Sequence, residues 1–131
     1  MKFSKELYND ILVETVNLKR ATYREAGDFK EALEKEIERG WKKVIVDLNN
    51  CEFMDSTFLG ALINGVKKLS EKGGKLKLSS VHSDAKILLE ITGTEKLFEI
   101  FNTKQDALLS FEKSLNPVSN PQKNIDKSSN A

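Results

Sequence analysis

The sequence has few of the residues that form covalent cross-links, metal clusters or catalytic pairs. Its 131 residues include one cysteine, Cys51, and one histidine, His82. A single cysteine excludes an internal disulfide bond and any cysteine-based metal cluster. The sequence also lacks a Gly-x-Ser-x-Gly elbow, metal-ligand spacing and a phosphate-binding glycine loop. We therefore expect a protein that is not an enzyme and that binds no cofactor or metal.

The sequence also lacks an excess of charge and a long apolar run. Lys and Arg number 21, Asp and Glu number 20, and these charges are dispersed along the chain. Nucleic-acid-binding surfaces usually show a basic excess, so we expect no nucleic-acid partner. The apolar runs are too short to span a bilayer, and residues 1–6 lack the apolar core of a signal peptide. We expect a soluble, cytoplasmic protein without membrane insertion.

Proline is nearly absent, and both prolines of the chain lie after Leu115. From Asn116 to Ala131 the chain is rich in Asn and Ser and almost free of apolar residues. Such a segment cannot bury enough surface to offset the entropy that is lost on ordering. We predict one domain over residues 1–115 and a disordered tail over residues 116–131.

The middle of the chain predicts a buried strand, a short loop and a helix. Val44, Ile45 and Val46 form a continuous apolar run, which is typical of a strand covered on both faces. After Ser56, apolar residues recur at helical spacing. Asp55 or Ser56 is the predicted N-cap, because its side-chain oxygen can accept from the free N–H groups of the first turn. Those N–H groups and the helix dipole also tolerate negative charge at this position.

The flanking segments predict strands that alternate with helices. Residues 3–8 and 11–18 indicate two strands around a short turn, and Gly40 and Gly93 are expected to end helices. Alternating strands and helices indicate parallel strands with helical crossovers, and the opening hairpin makes the sheet mixed. Further strands are predicted near residues 76–81 and 97–101, and further helices over 56–70 and from Ser83 and Thr103 onward.

The segment Phe53-Met54-Asp55-Ser56-Thr57-Phe58-Leu59-Gly60 resembles the signature of STAS domains, the family of the anti-sigma factor antagonists. Members carry a strand that ends in Asp-Leu, as at residues 47–48, then a short loop and Asp-Ser-Ser/Thr-x-Leu-Gly. Residues 73–76 and 92–93 fit the family as well, so the resemblance extends over roughly residues 3–113. It implies an α/β fold, with a mixed sheet of four to five strands and helices packed mainly on one side.

The resemblance also implies a regulatory switch. The phosphorylated residue of the family is the serine directly after the motif aspartate, which is Ser56 here. The implied kinase is an anti-sigma factor with a histidine-kinase-like ATPase fold, which is also the binding partner. A metal-dependent serine phosphatase is implied to remove the phosphate. The unphosphorylated antagonist would bind the anti-sigma factor and free a sigma factor, and we expect it to be a monomer or a weak dimer.

On this basis we predict a docking patch around the start of the middle helix. Gly60 belongs to it because a missing Cβ lets another backbone approach the first helical turn closely. Residues 19–22 read Lys-Arg-Ala-Thr where many members have Gly-x-Leu-Asp, and Phe58 replaces a small residue of the sporulation members. The predicted patch comprises Asp55, Ser56, Thr57, Phe58, Gly60, Thr22 and Tyr23, with the loop 82–84 beside it.

Other interpretations of the same residues remain open. Ser56 could be a plain helix cap, Asp55 could be only a capping carboxylate, and Phe58 could lie in the core. Asp47 follows a buried strand like the phosphorylated aspartate of receiver domains, but the acidic pair that a receiver needs is missing. A hydrolase built on Ser56 would require the fold to bring His82 to it. The main alternative function is a constitutive STAS subunit of a lipid-transport or stressosome-like assembly, without serine phosphorylation.

Overall fold

The computed structural model describes residues 1–115 and their side chains up to residue 112. The predicted tail over residues 116–131 lies outside the described residues. The strands are β1 (Phe3–Tyr8), β2 (Ile11–Val16), β3 (Arg20–Ala21), β4 (Lys43–Asp47), β5 (Phe53–Met54), β6 (Lys75–Ser79) and β7 (Glu99–Phe101). The α-helices are α1 (Tyr23–Glu38), α2 (Ser56–Glu71), α3 (Ser83–Thr92) and α4 (Lys104–Leu115), with a 3-10 turn over Thr94–Leu97.

Five strands form one mixed sheet in the order β1-β2-β4-β6-β7. β1 and β2 pair antiparallel as a hairpin, and the remaining neighbours pair in parallel. The predicted mixed sheet and its opening hairpin are therefore confirmed. The second strand ends at Val16 rather than at residue 18, because the chain then leaves the sheet to form β3.

The two faces of the sheet carry two separate apolar cores. Leu12 and Val16 of β2 face the larger core, which also includes apolar side chains of α1, α2 and α3. Ile11 and Val13 point the opposite way, as alternation in a strand requires, and pack against α4. Three of the four α-helices thus cover one face, as predicted, while α4 covers part of the other. Within residues 1–115, no helix has both the length and the apolarity to cross a membrane.

A second, two-stranded sheet lies outside the main one and positions the functional site. β3 and β5 pair in parallel, with Arg20 opposite Phe53 and Ala21 opposite Met54. Ala21 and Met54 are buried, so the other pair of side chains lies on the outer face. Each of these strands is followed, after one residue, by a helix. The short sheet therefore places the starts of α1 and α2 side by side.

Candidate functional site

The starts of α1 and α2 are joined directly by hydrogen bonds. The backbone N–H of Asp55 donates to the carbonyl oxygen of Ala21 over 3.0 Å. The N–H of Tyr23, the first residue of α1, donates to Asp55 Oδ2 over 2.8 Å. These two bonds link segments that lie more than thirty residues apart in the sequence, and they hold both helix N-termini in one corner of the molecule.

Asp55 is the N-cap of α2 and also binds the start of α1. Its backbone is extended, with φ −93° and ψ 176°, and its Oδ1 accepts from the N–H of Phe58 over 2.9 Å. Its Oδ2 accepts from Tyr23, as described above. A carboxylate is suited to this position because its negative charge faces the positive ends of two helix dipoles. Of the two N-caps left open by the sequence, Asp55 is the correct one.

Thr22 caps α1 through a reciprocal pair of hydrogen bonds. Its Oγ1 accepts from the N–H of Arg24 over 3.2 Å, while its own N–H donates to Glu25 Oε1 over 2.9 Å. This is a capping box, in which the cap residue and the third helical residue satisfy each other's backbone groups. Both helix starts are thus capped by side chains of this corner.

Ser56, the predicted phosphorylation site, is the first residue of α2 and is exposed to solvent. Thr57 and Gly60 are exposed as well, and a Cβ built on Gly60 would meet nothing within 4 Å. Gly60 follows Ser56 by four residues, so the two lie on the same face of the helix. Tyr23 is 63% exposed at the neighbouring helix start. Four of the predicted patch residues therefore reach solvent around one corner.

Phe58 was predicted to belong to the docking patch, and this prediction is wrong. Its side chain is fully buried, and its ring centroid lies 4.8 Å from that of Phe29 on α1. The helical turn that exposes Ser56 directs Phe58 inward, where it joins the larger core. Phe58 thus holds α2 against α1 and offers no surface to a partner.

The other candidates from the sequence have structural partners. Asp47 is buried, and its Oδ1 accepts from the hydroxyl of Ser79 on the neighbouring strand β6 over 2.8 Å. His82 is the N-cap residue of α3, and its Nε2 lies 2.7 Å from the carbonyl oxygen of Asn49 in the loop after β4. The imidazole is therefore held by that loop. The expected cap at Ser83-Asp84 is wrong, because α3 already begins at Ser83 and no side chain caps it.

Two arginines that were not among the predicted site residues border the same corner. The Arg20 guanidinium lies 4.3 Å from the ring centroid of Phe53, on the outer face of the short sheet. The Arg24 guanidinium lies 5.6 Å from the ring centroid of Tyr23. The basic residues were visible in the sequence, but only the pairing of β3 with β5 and the bond from Tyr23 to Asp55 bring them to the segment that leads into Ser56.

Comparison with known proteins identifies the family. The model of the STAS domain family matches residues 19–107. The chain belongs to this family. An anti-sigma F factor antagonist from Paenibacillus polymyxa is 30% identical over 74 residues, which span 56% of this chain and 63% of that protein.

Solved structures agree with this assignment. The crystal structure of a Thermotoga maritima protein described as a candidate anti-sigma factor antagonist superimposes with a TM-score of 0.78 at 26% identity, and covers 82% of this chain and 92% of its own. The phosphorylated form of the Bacillus protein SpoIIAA has a TM-score of 0.66 at 15% identity, over 83% of this chain and 98% of its own. The latter likeness concerns the fold alone.

Proposed function

We propose that this protein is an anti-sigma factor antagonist whose binding is switched by phosphorylation of Ser56. The observation that carries the proposal is that Asp55 and Ser56 have different roles at the start of α2. Asp55 caps the helix, and Ser56 presents its side chain to solvent as the next residue. A kinase could therefore modify the hydroxyl without removing a bond that the fold needs.

The position of Ser56 separates the effect on binding from the effect on folding. A phosphate adds about −1.5 to −2 charges and three acceptor oxygens. At a helix N-terminus this charge meets free N–H groups and the positive end of the dipole, so the domain stays folded. The added charge then acts on whatever protein surface is brought against this corner.

The docking surface in this proposal comprises the four exposed residues of the predicted patch and the half-buried Thr22. Asp55 stabilises the two helix starts that carry these residues, because both of its oxygens accept backbone N–H groups. The partner is an anti-sigma factor serine kinase, which binds the unphosphorylated protein, and a metal-dependent serine phosphatase restores that form. The protein is thus an interaction module and not an enzyme. The docking residues are Thr22, Tyr23, Ser56, Thr57 and Gly60.

Calorimetric titration with the recombinant anti-sigma factors of the native genome tests the proposal. Wild type and Ser56→Ala should bind one of them with similar affinity. Ser56→Asp should bind about a hundredfold more weakly, which corresponds to about 3 kcal/mol. Ser70→Asp is the matched control, since it makes the same change on an exposed serine near the other end of α2. Equal affinities of all four proteins would contradict the switch.

Mass spectrometry of the protein from its native cells distinguishes the main alternative. A phosphate on Ser56 supports the switch. An unmodified protein that co-purifies with membrane transporter subunits would instead support a constitutive STAS subunit without serine phosphorylation.

A further inference from the structure

Three basic side chains beside Ser56 form a surface that we call the cationic rim: Lys19, Arg20 and Arg24. All three are exposed, and none forms an ion pair with any residue of the described part of the chain. Two of the chain's three arginines thus lie at this corner. The third, Arg39, differs in donating to Glu36 over 3.0 Å.

Three carboxylates share this corner with the rim. Asp55 accepts N–H groups from two helix starts. Glu25 accepts from the N–H and the hydroxyl of Thr22 within the capping box. Glu52, next to Phe53, is the exposed carboxylate of the adjoining loop. Asp55 and Glu25 face the positive ends of two helix dipoles, each equivalent to about half a charge, so three cations and three carboxylates leave only a small positive excess at this corner.

The two arginines of the rim are held in place by aromatic rings. Arg20 lies over Phe53 and Arg24 lies near Tyr23, at cation–π distances. A guanidinium that already contacts a ring loses less freedom when it binds a carboxylate through two parallel hydrogen bonds. Arginine and tyrosine are also enriched among the residues that dominate binding energy at protein interfaces. The rim therefore has the composition of a docking surface.

We propose that the cationic rim binds an acidic patch on the anti-sigma factor, and that phosphorylation of Ser56 acts by cancelling the positive charge which that patch meets. The inference rests on the proposed function and adds the chemistry of the partner. A phosphate brings about −1.5 to −2 charges to a corner with a small positive excess. An acidic partner surface that is attracted by the unmodified corner is then repelled by the phosphorylated one.

The test is calorimetry with the same recombinant anti-sigma factors and a double variant, Arg20→Glu with Arg24→Glu. Its affinity should fall at least about tenfold, because attraction across the interface becomes repulsion. Raising the salt concentration from about 0.05 M to about 0.5 M should weaken wild type more than the variant, since salt screens exposed charges. Arg20→Gln with Arg24→Gln should fall in between, and its thermal unfolding shows whether the fold is intact.

The matched control is Lys67→Glu with Lys72→Glu, which reverses the same number of charges near and at the C-cap of α2, about three or more turns from Ser56. This control should bind within about twofold of wild type. A rim variant that binds like the control would overturn the inference.

The same experiment separates the inference from the proposed function. Loss of affinity in Ser56→Asp with unchanged affinity in the rim variant would leave the switch standing and remove the acidic partner surface. If the rim variants bind the anti-sigma factor more weakly while Ser56→Asp binds it like wild type, the result would support an acidic surface on the partner and contradict the switch. If none of the anti-sigma factors binds wild type, both are overturned.

Discussion

Two carboxylates near α1 meet contrasting environments. Asp55 at the docking corner is half-buried, and each of its oxygens accepts a backbone N–H group. Glu14 on β2 is only 2% exposed, and its Oε1 has no hydrogen-bond partner among the described residues. A buried charge that is hydrogen-bonded supports a fold, whereas an unpaired one strains it. Of the two carboxylates, the one at the corner that we assign to function is thus the one that is hydrogen-bonded.

The surroundings of Glu14 explain why it stays unpaired. Lys5 faces it across the β1–β2 hairpin, but the Lys5 ammonium donates to Glu36 on α1 over 2.6 Å. Arg39 binds the same Glu36 oxygen. Burial raises the pKa of Glu14 to about 7, with nearby Lys5 opposing the rise and Glu36 adding to it. These side chains line a cavity of about 330 Å³ between the hairpin and α1.

We expect the largest change in stability from removing the Asp55 carboxylate. Asp55→Ala deletes the acceptors of two helix starts, so we expect a loss of about 2–4 kcal/mol of unfolding free energy. Urea denaturation measures it. Asp84→Ala is the control, because Asp84 lies in the first turn of α3, where the cap has no side-chain hydrogen bond. Equal losses in the two variants would show that Asp55 is an ordinary first-turn charge.

The strain at Glu14 should appear as a dependence of stability on pH. The folded protein has a raised pKa of about 7 at Glu14, against 4.5 for the group in its ordinary state. Between these values the folded state binds more protons than the unfolded one, so stability falls as pH rises through this window. We expect a loss of about 3 kcal/mol between pH 4.5 and pH 8 that originates from this group.

Glu14→Gln isolates that contribution, because the amide does not titrate while the surface carboxylates remain. The difference in unfolding free energy between wild type and Glu14→Gln should change in favour of the variant as pH rises. Denaturation at several pH values gives this difference. If this difference does not change with pH, the folded protein does not raise the pKa of Glu14 as its burial indicates.

A milder change at Asp55 tests whether both of its oxygens matter. Asp55→Asn keeps one acceptor oxygen and replaces the other by a donor, so it can retain one of the two bonds. We expect a loss of about 1–2 kcal/mol, smaller than that of Asp55→Ala. If Asp55→Asn unfolds with the free energy of wild type in urea, the second of these two hydrogen bonds contributes nothing beyond the first.

The smallest effect on stability is expected at Ser56. Ser56→Asp places a charge where the dipole of α2 is favourable, so the unfolding free energy should stay within about 0.5 kcal/mol of wild type. Ser70→Asp places the same charge near the C-terminal end of α2, where the dipole is unfavourable, and should be slightly destabilising. Thermal unfolding of both variants compares the two ends. A large loss in Ser56→Asp would mean that the proposed switch alters the fold itself.

Much of the fold follows from local patterns, and the exceptions are instructive. The apolar run at 44–46 predicted a buried strand, and the left-handed glycine at position 93, with φ 71°, ends α3 as expected. β3 and β5 were missed because each has two residues, which is too short for a periodic pattern. Phe58 was placed in the docking patch because helical spacing leaves its direction open until α1 is packed beside it.

The sequence by itself determined that Asp55 and the serine after it stand where a helix begins, without deciding which is the cap, because capping chemistry and helical periodicity are properties of neighbouring residues. Only the tertiary structure decided what that serine lies beside. The bond from Tyr23 to Asp55, the two arginines over their rings and the unpaired Glu14 all depend on contacts between distant segments. Such contacts form when strands pair and helices pack, and no local pattern encodes them.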